Sequence, residues 1–249
     1  VHGNESSSME AALKTLHAFS DTTNAQTMEW LKGVIVIIDP CINPDGRDRY
    51  AHFYRMTGNV IPDINTKTRG HREPWPGGRT NHYYHDLNRD WCWQTQKETQ
   101  DRIKLYNQWM PHVHVDYHEQ SYNDPYYFAP AVEPYHELIT SWQKEFQQII
   151  GKNNADNFDE KQLLYFTNED FDLLYPGFGD TYPIFNGAIG MTYEKGGSGA
   201  GGVAVKTSAM DTLTLKERLE HHYLTALSTV EATFENSERV IREFQSFFK

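Results

Sequence analysis

The residues with the most evident chemistry stand at the start of the chain, where His2-Gly-Asn-Glu5 places an imidazole and a carboxylate three positions apart. A catalytic zinc is held by three protein ligands of this kind and keeps one position open for water. By itself the tetrapeptide also fits a surface turn whose glutamate caps a helix. A third ligand has to come from a distant strand end, and His112-Val-His-Val-Asp-Tyr-His118 offers one. On an extended strand His112, His114, Asp116 and His118 share one face, and His118 lies nearest the exit. His118 is therefore the expected ligand and His114 the reserve, while His112 reads as packed or solvated.

The elements that must position these groups follow from periodicity. Ser6 to Ser8 ahead of Met9, Ala12, Leu13 and Leu16 predicts a helix with a polar cap and an apolar stripe. Val34-Ile-Val-Ile-Ile38 is apolar and β-branched throughout, which predicts a central strand covered on both faces. Asn43-Pro-Asp-Gly46 reads as a turn. Residues 47–90 show little periodicity and contain Pro62, Pro74, Pro76, Gly77 and Gly78, so a long functional loop is expected there. A helix is expected over about 96–109 and is halted by Pro111, and the alternation of 112–118 predicts a strand. Pro134 to Ile150 reads as an amphipathic helix closed by Gly151, with Asn153 to Glu160 a polar surface loop. Gly190 to Glu194 reads as a short strand running into a glycine-rich loop at Gly196 to Gly202. Leu215, Leu219, Tyr223, Leu227, Val230 and Phe234 mark a helical tail, and Ser237 caps a further turn or two. Helices interleaved with buried strands, without an internal repeat, give an α/β class with helices on both sheet faces.

Composition narrows the functional classes. With 249 residues, 38% hydrophobic and 14% aromatic, the chain can bury a core as one large domain. A net charge of -11 argues against nucleic acid as the main partner, because phosphate binding needs a concentrated basic surface. No stretch approaches the roughly 18 apolar residues of a membrane span. Cys41 and Cys92 are too few for a disulfide framework and are expected to be free thiols.

Five short motifs then stand in a telling order: His2-x-x-Glu5, Asn43-Pro-Asp-Gly46, Asp86-Leu-Asn-Arg89, Asp116-Tyr-His118 and Thr192-Tyr-Glu194. In this order the chain resembles M14 zinc carboxypeptidases from residue 2 to about 197. The resemblance implies a mixed, mostly parallel sheet with helices on both faces. It also implies one Zn2+ held by His2, Glu5 and His118, and hydrolysis of the C-terminal peptide bond of peptides or proteins by a zinc-activated water. Glu194 would be the general base, and Asn88 with Arg89 would bind the substrate's terminal carboxylate, which a guanidinium fork matches. Arg79 is the expected arginine on the scissile carbonyl, with Arg72 and Arg69 as alternatives. Tyr175, with Tyr182 second, is expected to close over the substrate. Asp180 would select basic terminal residues if it points inward; otherwise the aromatic lining would favour apolar ones. Lys195 is expected to be an exposed charge. A secreted or periplasmic location is suggested by the resemblance alone.

The match departs from the family in two places. Tyr193 precedes the glutamate where the family has phenylalanine. Family members also carry strands and a helix ahead of the first motif, whereas this sequence starts one residue before it, so a fragment of the catalytic domain is expected, with zinc retention in question. Two other readings stay open. An N-acyl amino acid deacylase related to aspartoacylase would share His2-Gly-Asn-Glu5 and Asp86-Leu-Asn-Arg89, and a non-catalytic peptide-binding module would keep the pocket without turnover.

Overall fold

A computed structural model describes residues 1–249. In chain order the elements are α1 (Ser6–Ser20), α2 (Ala25–Trp30), α3 (Pro44–Thr57), α4 (Lys97–Trp109), β1 (Val113–Gln120), β2 (Tyr126–Tyr127) and α5 (Ser141–Glu160). They continue with β3 (Tyr165–Phe166), α6 (Thr181–Ile184), β4 (Ile189–Gly196), α7 (Ser198–Gly201), β5 (Ala204–Lys206), β6 (Thr212–Thr214), α8 (Leu215–Glu235) and α9 (Ser237–Phe247). Single 3-10 turns lie at Arg69–His71 and Leu87–Arg89.

The main sheet has the order β1-β4-β2-β3. β1 and β4 are parallel, with His118 opposite Glu194 and Asp116 opposite Thr192. β2 runs parallel to β3 and antiparallel to β4. The sheet is therefore mixed and mostly parallel. Period-2 alternation sorts the side chains of the two long strands between its faces. Ile189, Met191 and Tyr193 pack with Phe146, Ile150, Phe158, Ala232 and Val240 against α5, α8 and α9, joined by Val113, Val115 and Tyr117. The other face carries His114, Asp116 and His118 beside Gly190, Thr192 and Glu194. There α6 lies against β4, and Trp91 and Tyr106 pack on His114. Helices thus cover both faces, and no helix is long and apolar enough to cross a membrane.

Several local expectations are corrected. Val34 to Ile38 runs extended but is not a strand, because no neighbouring strand supplies backbone partners; Val36 and Ile38 line a shallow pocket together with Leu13, Leu16 and Phe19 of α1, while Ile35 and Ile37 are exposed. Asn43 does not head a turn but caps α3, accepting from the Gly46 N–H at 2.9 Å, so part of the expected long loop is helical. The helix expected from Pro134 starts at Ser141, where Thr140 and Gln143 form a reciprocal capping box. It passes through Gly151 and takes in Asn153 to Glu160, burying Asn154 and Phe158. Gly151 serves close packing rather than termination: a Cβ there would overlap the Ala129 carbonyl oxygen. Cys41 and Cys92 are free.

The loops that carry the site are locked backbone against backbone. Gly3 N–H donates to the Gly78 carbonyl at 2.8 Å, and a Cβ on Gly3 would overlap the backbone at Gly46 and Arg47. A Cβ on Gly46 would in turn overlap the Gly78 carbonyl oxygen. Arg49, on α3, donates from Nε to the Gly77 carbonyl at 2.8 Å and from Nη2 to the Asn81 carbonyl at 2.9 Å, pinning the loop that holds Arg79. Gly46→Ala should therefore cost about 1–3 kcal/mol of stability by overpacking and lower the Tm measured by circular dichroism. Gly70→Ala, where the nearest atom would lie 3.9 Å away, should leave it nearly unchanged.

Candidate metal centre and active site

Glu5, at the start of α1, reaches across to the exit of β1. Its Oε1 lies 2.7 Å from His2 Nδ1 and its Oε2 lies 3.0 Å from His118 Nδ1. The Glu119 backbone N–H donates to the same Oε2 at 3.1 Å. One ligand atom from each of His2, Glu5 and His118 lies within 4.8 Å of the others, and all three residues are buried. The outer imidazole nitrogens are also engaged: His2 Nε2 lies 3.1 Å from Asp86 Oδ1, and His118 Nε2 lies 2.9 Å from Asp116 Oδ2. Two imidazoles and a carboxylate converging inward, each imidazole backed by an outer carboxylate, is a donor set that fits zinc.

The electrostatics are tightly coupled. Burial alone would raise the Glu5 carboxyl, but the imidazoles of His2 and His118 outweigh it and hold it well below the usual carboxylate range. Burial would likewise lower His118, yet Asp116 and Glu5 outweigh that effect and hold its imidazole well above the ordinary histidine value. Asp86 and Asp116 are both lowered, because their imidazole partners overcome the cost of burial. In this state the cluster is a compact network of opposed charges.

Glu194 stands beside His118 on the adjoining strand. It is buried, and its Oε2 has no hydrogen-bond partner. Burial pushes its carboxyl up to about 8, with the charge of His118 opposing and those of Glu5 and Asp116 adding to the rise. A buried, unengaged carboxylate of this kind suits proton transfer.

Of the other expected site residues, Arg79 and Asn88 reach this centre directly. Arg79 bonds Asp86 at 2.9 Å through Nη2 and brings Nη1 within 3.8 Å of Glu5. Asn88 Nδ2 lies 3.2 Å from His118 Nε2, and its Oδ1 accepts from the Gly179 N–H at 2.7 Å. Arg89 is half exposed, 3.9 Å from Asp86, and stacks over the Phe178 ring at 4.5 Å. Tyr175 packs on Phe178, and its hydroxyl accepts from Trp93 Nε1 at 2.8 Å. Asp180 is buried, and burial raises its carboxyl to about 6, with Asp116 adding to the rise and Thr181 opposing it. His114 is outside the cluster, packed neutral between Trp91 and Tyr106, and burial lowers it to about 4. His112 packs on Phe244. Lys195 corrects the expectation of an exposed charge: it points to the core face of β4, is buried, and is lowered by burial to about 8.

Sequence reasoning passed over the outer carboxylates. Asp116 had a usable signal, since it lies two residues before His118 on the same strand face. Asp86 lies inside the Asp-Leu-Asn-Arg motif, but its reach to His2 is set by tertiary folding alone.

The fold and this cluster define an α/β protein with a metal-ready centre near the carboxyl ends of its parallel strands. A zinc carboxypeptidase family profile matches residues 1–160, and the chain belongs to that family. Its fold is similar to that of a metallo-carboxypeptidase from Burkholderia cenocepacia, at 14% identity and a TM-score of 0.63, covering 93% of this chain and 54% of that one. It is also similar to the metallo-carboxypeptidase from Pseudomonas aeruginosa in complex with (2-guanidinoethylmercapto)succinic acid, at 13% identity and 0.64, covering 96% and 56%. Thrombin activatable fibrinolysis inhibitor shares the fold at 14% identity and 0.60, covering 97% and 63%. This chain spans little more than half the length of the bacterial structures. A comparison with curated proteins found no match.

The Glu194 environment has a measurable consequence. The folded state keeps a proton that the unfolded carboxyl releases near its ordinary value of 4.5, so this group's contribution to stability declines as pH rises from there toward about 8. A separation of one pH unit between folded and unfolded titration is worth about 1.4 kcal/mol. In chelator-treated protein, Glu194→Gln should raise the Tm relative to the parent at pH 8.5 by clearly more than at pH 4.5. Equal differences at both pH values would show that the carboxyl is not desolvated.

Proposed function

We propose that this chain is catalytic material of a zinc-dependent carboxypeptidase, with His2, Glu5 and His118 holding one zinc ion. The observation that carries this reading is the buried convergence of the three ligand atoms within 4.8 Å, with Glu194 in register beside His118. A bound zinc supplies Lewis-acid polarisation and lowers the pKa of water to about 7.

The protein groups supply the rest. Arg89 and Asn88 bind the terminal carboxylate and so set the register of the chain to be cut. Arg79 donates toward the oxygen of the scissile carbonyl, a role commonly worth about 3–4 kcal/mol of barrier. Glu194 accepts the proton released when water adds to the carbonyl carbon, then delivers it to the leaving amine nitrogen as the C–N bond breaks. Tyr175 closes over the bound end beside Phe178. Asp180 gives the pocket for the last side chain an anionic wall once ionised, which favours basic terminal residues. The ligand named for the Pseudomonas structure carries a guanidino group and carboxylates, the two features that Asp180 and Arg89 would read.

The direct test is mass spectrometry of a mixed peptide pool incubated with the zinc-loaded full-length protein and with its Glu194→Gln variant. Stepwise loss of single C-terminal residues with the parent alone is expected, with Lys and Arg released first. Zinc binding without trimming would overturn the reading, and cleavage confined to short acylated amino acids would replace it with a deacylase.

Arg89→Ala should raise KM at least tenfold for peptides with a free C-terminal carboxylate and change little for amidated ones. Equal losses on both would remove Arg89 from carboxylate binding.

A further inference from the structure

Behind the candidate metal centre, on the core face of the sheet, lies an ion pair that the proposed chemistry does not use. Glu119 follows His118 directly, so strand alternation sends its side chain to the opposite face. There Arg218 of α8 donates from Nη1 to both carboxylate oxygens, at 2.9 Å and 3.0 Å. Both residues are buried, with Arg218 only 1% exposed. The same carboxylate accepts from the Ser7 N–H at 2.9 Å and from the Ser7 hydroxyl. It thereby caps α1 from outside the helix, in place of Glu5, which stands at the cap position without a capping bond.

The result is a reciprocal clasp. Glu119 gives its backbone N–H to the Glu5 carboxylate at 3.1 Å, while its own carboxylate holds the backbone two residues beyond Glu5. Two segments more than a hundred residues apart, one bearing Glu5 and the other His118, are fastened through a single residue, and Arg218 anchors that residue.

The glycine-rich segment 196–202 is shaped around this guanidinium. A Cβ at Gly201 would lie 2.6 Å from Arg218 Nη1, and one at Gly197 would lie 2.6 Å from Glu119 Oε2. Arg218 Nη2 also donates to the Gly202 carbonyl. A buried ion pair contributes little net stability once desolvation is counted. What it does supply is directional constraint, here at the two segments that must hold their donors at fixed spacing.

We propose that Glu119 and Arg218 are positioning residues for the metal centre, holding Glu5 and His118 at the separation a zinc ion requires. The inference rests on the reading of His2, Glu5 and His118 as the zinc ligands. Outer partners of metal ligands are commonly worth about 10–100-fold in metal affinity.

The test measures zinc Kd by competition with a chromophoric chelator on the full-length protein, beside the Tm of the metal-free form. Glu119→Gln and Arg218→Met should each raise Kd about 10–100-fold, and Arg218→Lys should raise it less. Gln147→Met strips two buried hydrogen bonds elsewhere on the same core face, to the Ala131 N–H and the Gly190 carbonyl. It should lower the Tm and leave Kd unchanged. If the single variants do not fold, Glu119→Gln combined with Arg218→Met leaves no unpaired charge and carries the same readout. Kd within twofold of the parent in the folded variants would overturn the positioning role. Failure of the parent itself to bind zinc would overturn the ligand assignment and this inference together.

Discussion

The arrangement depends first on the parallel pairing of β1 with β4 in a single register. Side chains alternate between the faces of a sheet, so a slip of one residue would send His118 and Asp116 into the apolar core and bring Tyr117 out in their place. The register is held by what packs behind it. Met191 and Tyr193 are buried against α5 and α8, with Val115 and Tyr117 packed beside them, and each large side chain so buried contributes about 1.5–3 kcal/mol. The polar face inherits its alignment from that apolar one. His118 and Glu194 therefore stand side by side through the ladder itself, with no side-chain hydrogen bond between them.

The loops obey a second constraint, the absence of side chains at crossing points. Gly3, Gly46 and Gly78 let three separate segments touch through backbone alone, and Arg49 gathers the carbonyls of the third. That contact brings His2 and Arg79 to the end of β1. The charges then complete the local order. Asp86 and Asp116 fix the outer nitrogens of the two imidazoles, and Glu5 bridges the inner ones.

Much of this was legible in the sequence because residue type carries it. Strand alternation at 112–118, the helical spacing after Leu215 and the order of the short motifs all report local or familial rules, and the α/β class followed from them. The failures share a physical cause, which is that they depend on what lies opposite. Val34 to Ile38 has the composition of a central strand, but pairing is a property of two segments. Gly151 looked like a helix stop because its close approach to Ala129 is visible only in three dimensions. Lys195 is a charge that residue type alone sends to solvent, and the strand that covers it, paired at Glu119, is remote in sequence.

The alternation along β1 and β4 also separates two kinds of change. Substitutions on the face of Val115, Tyr117, Met191 and Tyr193 act on cohesion, and those on the face of His114, Asp116, Thr192 and Glu194 act on the reactive surroundings. For most of their length the two strands behave as a partition with independent sides, so one side can be redesigned while the other is kept. The partition closes at Glu119, where a core-facing carboxylate is tied through its own backbone to Glu5. At that position cohesion and chemistry become one variable, and a residue chosen for either purpose is chosen for both.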